Sequence, residues 1–163
     1  MKILTVGRIA PVKNLEVIVR AVVLLHDRGV SVELTIVGEP ALDSDRNYLE
    51  ELKRLDGPVT FVGKIPWHDL PPLYRSHDIF VHASKTGSLD RALLEAMACG
   101  MNVLSCNDAS RGFLPASWIF SPDDAEALAE KIQNFPKENF DVRRYVVEHH
   151  DLKKLISRIS ELL

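Results

Sequence analysis

Apolar residues along this chain fall into two alternating rhythms. The opening "KILTVG" is a short β-rich run closed by Gly7. Over 12–28, Val12, Leu15, Val19, Val22, Val23 and Leu24 recur near the 3.6-residue period of a helix, and Gly29 stands as its cap. "VSVELTIVG" predicts a second strand ending at Gly38, followed by a polar loop and a helix over 45–55. "VTFVG" predicts a third strand ending at Gly63, and "IPWHDLPPLYRSH" one or two short helices interrupted by Pro71 and Pro72. "DIFVHAS" reads as a fourth strand, 89–99 as a helix, "MNVLSC" as a fifth strand and "SWIFS" as a short sixth. From Pro122 onward the pattern is helical in three pieces: "DDAEALAEKIQNF", "ENFDVRRYVVEHH" and "DLKKLISRISELL".

Strands that alternate with helices specify βαβ units and a mainly parallel sheet covered on both faces. The expected fold is therefore α/β: a single Rossmann-like domain over 1–163, doubly wound, in three α/β/α layers with about six strands. Ligands of such sheets bind beyond the carboxyl ends of the strands. Those ends are the loops after Gly7, Gly38, Gly63, His82 and Cys106.

Composition narrows the function classes. With 46% hydrophobic and 26% charged residues, the 163-residue chain has the profile of a soluble domain with a substantial core. A net charge of -3 gives no footprint for nucleic acid or an anionic membrane surface. The two cysteines, Cys99 and Cys106, form neither a disulfide framework nor a zinc set, and are expected as reduced, mostly buried thiols. No signal peptide or bilayer-length apolar run is present in the sequence. A cytoplasmic location is expected, with peripheral membrane association open to the full-length protein.

The chemistry available at the strand ends is sparse. "VGRIAPVKN" sets Arg8 and Lys13 on the loop after the first strand. A planar fork and a mobile ammonium aimed at one crevice suit a diphosphate, although the same spacing also fits two solvated surface cations. Neither a GxGxxG after the first strand nor a GxxxxGK[ST] is present, which argues against a standard dinucleotide cofactor or a Walker-type ATPase. Ser88 is the expected N-cap of the helix over 89–99, whose N–H groups would favour an anion near 87–89. Ser88, Arg91 and Glu95 share one face of that helix. Glu95 then has two readings, a carboxylate for a ribose cis-diol or the partner of an Arg91 ion pair. His82 reads as a structural histidine, and Trp67 and Trp118 as packing residues. No hydrolytic triad or metal set is recognisable in the spacing.

Taken in order, "ILTVGRIAPVKNLEVIVRA", "VELTIVGEP", "VTFVGKIP", "LPPLYRSHDIFVHAS" and "LLEAMACGMNVLS" resemble the C-terminal, donor-binding domain of the retaining glycosyltransferases of family 4, which have the GT-B fold of two Rossmann domains. The resemblance implies that Arg8 and Lys13, beside Gly7, bind the donor diphosphate and stabilise its departure. Glu95 matches the second Glu of the family's Glu-x7-Glu motif and would bind the ribose hydroxyls. Lys64 and Ile65 would meet the base; Ser84, Gly87, Ser88 and Leu89 would border phosphate and sugar. The first Glu of the motif falls on Gly87, and Ser88, Leu89 and Asp90 replace the usual Gly-Phe-Gly. Asp90 is a candidate for the missing carboxylate, and Arg91 stands where some relatives carry Lys.

The implied activity is transfer of a hexosyl unit from a UDP-, GDP- or ADP-sugar to a glycan or lipid-linked acceptor, with no cofactor or metal. The acceptor would be held by an N-terminal domain that this chain lacks, so the isolated domain is expected to transfer no sugar. The alternatives are a non-catalytic nucleotide-binding domain of the same fold and a sugar-nucleotide epimerase.

Overall fold

The computed structural model describes residues 1–151; the predicted helix after Asp151 lies outside them. Five strands form one sheet: β1 (Lys2–Val6), β2 (Glu33–Val37), β3 (Val59–Gly63), β4 (Ile79–His82) and β5 (Asn102–Ser105). Their order is β3-β2-β1-β4-β5, and every pairing is parallel. The helices are α1 (Leu15–Asp27), α2 (Asp43–Lys53), α3 (Leu70–Arg75), α4 (Arg91–Ala98), α5 (Ala125–Gln133) and α6 (Val142–His149).

Right-handed crossovers assign the layers. The chain steps one way from β1 to β3 and the other way from β3 through β4 to β5, so α1 and α2 cover one face, and α3 and α4 the other. Contacts agree: α1 packs on α2 and α5, and α4 on α3 and α6. Burial follows position in the sheet. Interior strand β4 is buried at every residue, whereas edge strand β3 alternates and leaves Val62 exposed. Leu15, Ile18, Val22 and Leu25 seat α1 on the core.

Several boundaries differ from the sequence pattern. The first helix starts at Leu15, because Pro11–Lys13 forms a separate 3-10 turn and Asn14 takes a left-handed backbone (φ 52°) between the two. The second starts at Asp43. The predicted sixth strand is reduced to a bridge between Ser105 and Ile119. There, Ala116–Trp118 is a 3-10 turn, and the buried Trp118 indole donates to the Pro136 carbonyl at 3.0 Å, which draws the chain off the sheet edge.

The sheet order reverses at β1, where the loops after β1 and β4 run to opposite sides and open a crevice between them. The neighbouring loops are tied together. Gly7 N–H donates to the Val37 carbonyl (2.9 Å), Ile9 N–H to Glu39 (3.1 Å) and Gly38 N–H to Gly63 (2.8 Å). This lacing needs glycine at 38: a Cβ built there lies 1.8 Å from the Gly7 carbonyl oxygen. Arg8 therefore leaves a rigid collar. Among the described residues, no helix is long and apolar enough to cross a membrane.

Candidate functional site

A cleft of about 460 Å³ opens at this crevice, a size in the range of small-molecule sites. It draws Gly7, Arg8 and Lys13 from the β1 loop, Ile65 from the β3 loop, and Asp90, Arg91 and Glu95 from the start of α4. Seven of the predicted site residues thus come together from three distant segments. Lys64 is not on this lining; it is exposed and pairs with Glu39 at 3.8 Å. Neither are Gly87, Ser88 and Leu89. Ser84 is buried, with its hydroxyl on Thr86 (3.0 Å) and its carbonyl on Asn107 (3.2 Å).

The start of α4 differs from expectation in an instructive way. Asp90, not Ser88, is the N-cap: its backbone is extended (φ -79°, ψ 137°) and its carbonyl takes the Leu93 N–H at 3.2 Å. Its carboxylate makes no capping bond. It accepts from His82 Nε2 at 2.7 Å and from Lys13 Nζ at 2.5 Å. These two tertiary bonds hold the chain extended through 90, so the N–H groups open to an anion are those of Arg91 and Ala92. Both residues line the cleft.

Asp90 is the electrostatic hinge of the site. The His82 hydrogen bond, followed by the Lys13 ammonium, holds its carboxyl far below the usual carboxylate range, against the opposing effect of burial. An ionised Asp90 only accepts, so His82 presents Nε2–H to it. His82 Nδ1 then faces Ser105 Oγ at 3.3 Å, which receives the Ser110 hydroxyl at 2.8 Å and the Asn107 N–H at 3.2 Å. A hydrogen-bonded chain thus runs from the β5 loop through buried His82 to Lys13. The histidine is structural, as its sequence setting suggests, but what it holds in place is a wall of the cleft. Lys13 has three N–H donors; Asp90 fixes the ammonium and leaves two.

Glu95 sits one turn into α4, half-buried, and accepts from the Tyr74 hydroxyl at 3.1 Å. Burial first, and then the Glu95 charge, push the Tyr74 phenol well above its ordinary range, so it remains a donor. Among the described residues, no ion pair joins Arg91 to Glu95, and Arg8 and Arg91 have no acidic partner. Three cations and two carboxylates leave this cleft positive in a chain of net charge -3.

Two features were not evident from the sequence. Tyr74, on α3, was hidden among short proline-broken helices. Trp67, expected to be packed, is 80% exposed on the cleft wall, whereas Trp118 is buried as expected. A second cleft of about 630 Å³ lies between α1 and α5. Its charged groups are taken up locally: Arg20 pairs with Glu16, Asp123 with Lys85 and Glu126 with Arg28, so among the described residues it offers no free cation to an anionic ligand. No group of three or more metal-ligating side chains forms among the described residues. Burial pushes the Cys106 thiol up to about 11 and makes it inert.

Comparison with known proteins agrees with this architecture. The O-antigen chain mannosyltransferase B of Escherichia coli is 29% identical over 136 residues, covering 79% of this chain and 35% of that protein. Sucrose-phosphate synthase from Thermosynechococcus elongatus superposes with a TM-score of 0.85 at 25% identity, over 99% of this chain and 44% of its own. Anabaena HepE, solved in complex with UDP and glucose, superposes at 0.84 with 19% identity, over 99% and 47%, and so shares the fold. The chain spans less than half the length of the curated relatives it matches. The model of the family "Glycosyl transferases group 1" matches residues 1–138, and the chain belongs to that family.

Proposed function

We propose that this chain is the donor-binding half of a retaining glycosyltransferase, passing a hexosyl unit from a UDP-, GDP- or ADP-sugar to a glycan or lipid-linked acceptor. One observation carries the reading: Arg8 and Lys13 from the β1 loop and Glu95 from α4 line one positive cleft at the sheet's switch point. The name of the mannosyltransferase relative supports a hexosyl donor, and the UDP bound to HepE supports a nucleotide one.

In this reading the diphosphate lies against the Arg8 guanidinium, the two free Lys13 N–H groups and the amides of Arg91 and Ala92. These donors strengthen as charge grows on the departing phosphate, which is the way a fixed electrostatic site lowers a barrier. Glu95 takes the ribose hydroxyls, with Tyr74 fixing its orientation. Asp90 borders the sugar, but its carboxylate is held by two donors and is a poor nucleophile. The acceptor oxygen therefore attacks from the side on which the diphosphate leaves, and its proton passes to that leaving group. A second domain supplies the acceptor.

Calorimetry of the chain with UDP, GDP, ADP and their sugars tests this. One nucleoside diphosphate should dominate, and Arg8→Ala should weaken it about 10- to 100-fold, as expected for a charged hydrogen bond. Equal responses to all three would count against a specific donor site, and an unchanged affinity in Arg8→Ala would remove Arg8 from the mechanism.

A further inference from the structure

Trp67 has no part in the scheme above, yet its indole stands on the cleft wall almost wholly in water. An aromatic ring left so exposed forgoes the burial that normally makes tryptophan worth having in a fold. Its place is fixed. Pro66 enters the turn at φ -56°, the Asp69 N–H closes it on the Pro66 carbonyl at 2.9 Å, and His68 meets the indole edge-on at 5.7 Å. Ile65, Trp67 and Leu70 follow edge strand β3, two strands or roughly 10 Å from β1, so this end of the lining is apolar where the Arg8 and Lys13 end is cationic. A ligand matched to both ends carries negative charge at one extremity and a flat ring at the other.

We propose that Trp67 is the platform on which the base of a nucleoside diphosphate stacks. The inference rests on the cleft being the donor site and adds to it the residue that recognises the base by its face. Stacking on an aromatic side chain tolerates every base, so Trp67 supplies affinity, and any choice among bases comes from the groups that meet the ring edge.

The test is titration of the chain and of Trp67→Ala and Trp67→Phe with ADP, UDP, UDP-glucose and inorganic diphosphate. Trp67→Ala should bind the nucleotides about 5- to 150-fold more weakly and inorganic diphosphate unchanged. Trp67→Phe should stay within about threefold of wild type while losing the ADP-induced quench of indole emission, since Trp118 is buried. Wild-type nucleotide affinity in Trp67→Ala overturns this inference and leaves the donor site standing. An equal loss for inorganic diphosphate, or a loss confined to UDP-glucose, also overturns it, because the ring would then shape the phosphate end or face the sugar. Failure of the wild-type chain to bind any nucleoside diphosphate removes the donor site itself.

Discussion

At the residue scale, Asp90 couples stability to the site. Its carboxyl is easier to ionise in the folded chain than in the unfolded one, chiefly through His82 and then Lys13. A depressed carboxyl stabilises the fold at every pH above its unfolded value near 4, and that contribution drains away as pH falls toward the folded value. Asp90→Asn should therefore melt roughly 2–5 °C below wild type at pH 7, with the gap narrowing steadily as pH falls below about 4. Thermal unfolding across that range checks this; a gap that stays constant with pH would show that the carboxylate's charge is idle. The partnership was beyond sequence reading for a plain reason. Lys13 and Asp90 are 77 positions apart, and nothing local marks either as the other's partner. Arg8, Lys13 and Glu95 were legible as candidates because strand ends and the 3.6-residue period locate a residue without knowledge of what it touches.

At the scale of elements, the segment from Ser84 to Asp90 shows where local rules give way. Cap preference favoured Ser88, but two tertiary bonds to Asp90 outweigh a cap whose loss costs about 1 kcal/mol, and the helix begins at Arg91. The five paired strands were readable because each ends at a polar or glycine break that the sheet retains. The sixth was not, since its fate depended on the Trp118 turn. Gly87 sits in the left-handed region at φ 42°, a backbone conformation that disfavours a Glu at this position. Gly87→Glu should cost about 1–2 kcal/mol, roughly 2–8 °C in Tm, and Gly87→Asn less, because Asn tolerates that region. A Gly87→Glu variant as stable as wild type in a thermal melt would mean that the loop accepts the carboxylate without strain.

At the scale of the whole molecule, two fields oppose each other. The chain carries -3 overall, while the cleft lining carries three cations against two carboxylates. A nucleoside diphosphate of charge about -3 at an effective ~20 Å from the net charge is repelled by about 1 kcal/mol at 0.01 M salt and by a few tenths at 0.1 M. The cleft's excess charge, at about 6 Å, attracts it by roughly 1.7 kcal/mol at 0.01 M, about 1 at 0.1 M and about 0.3 at 1 M. From 0.01 to 0.1 M the relieved repulsion and the lost attraction nearly cancel. Affinity should then stay within about twofold over that interval, without falling, and drop about two- to threefold from 0.1 to 1 M. A cation cluster acting without the surrounding negative charge would already lose about threefold between 0.01 and 0.1 M. Titrations of ADP at these three salt concentrations separate the two cases, and an early loss of that size would show that the net charge of the chain is not felt at the cleft.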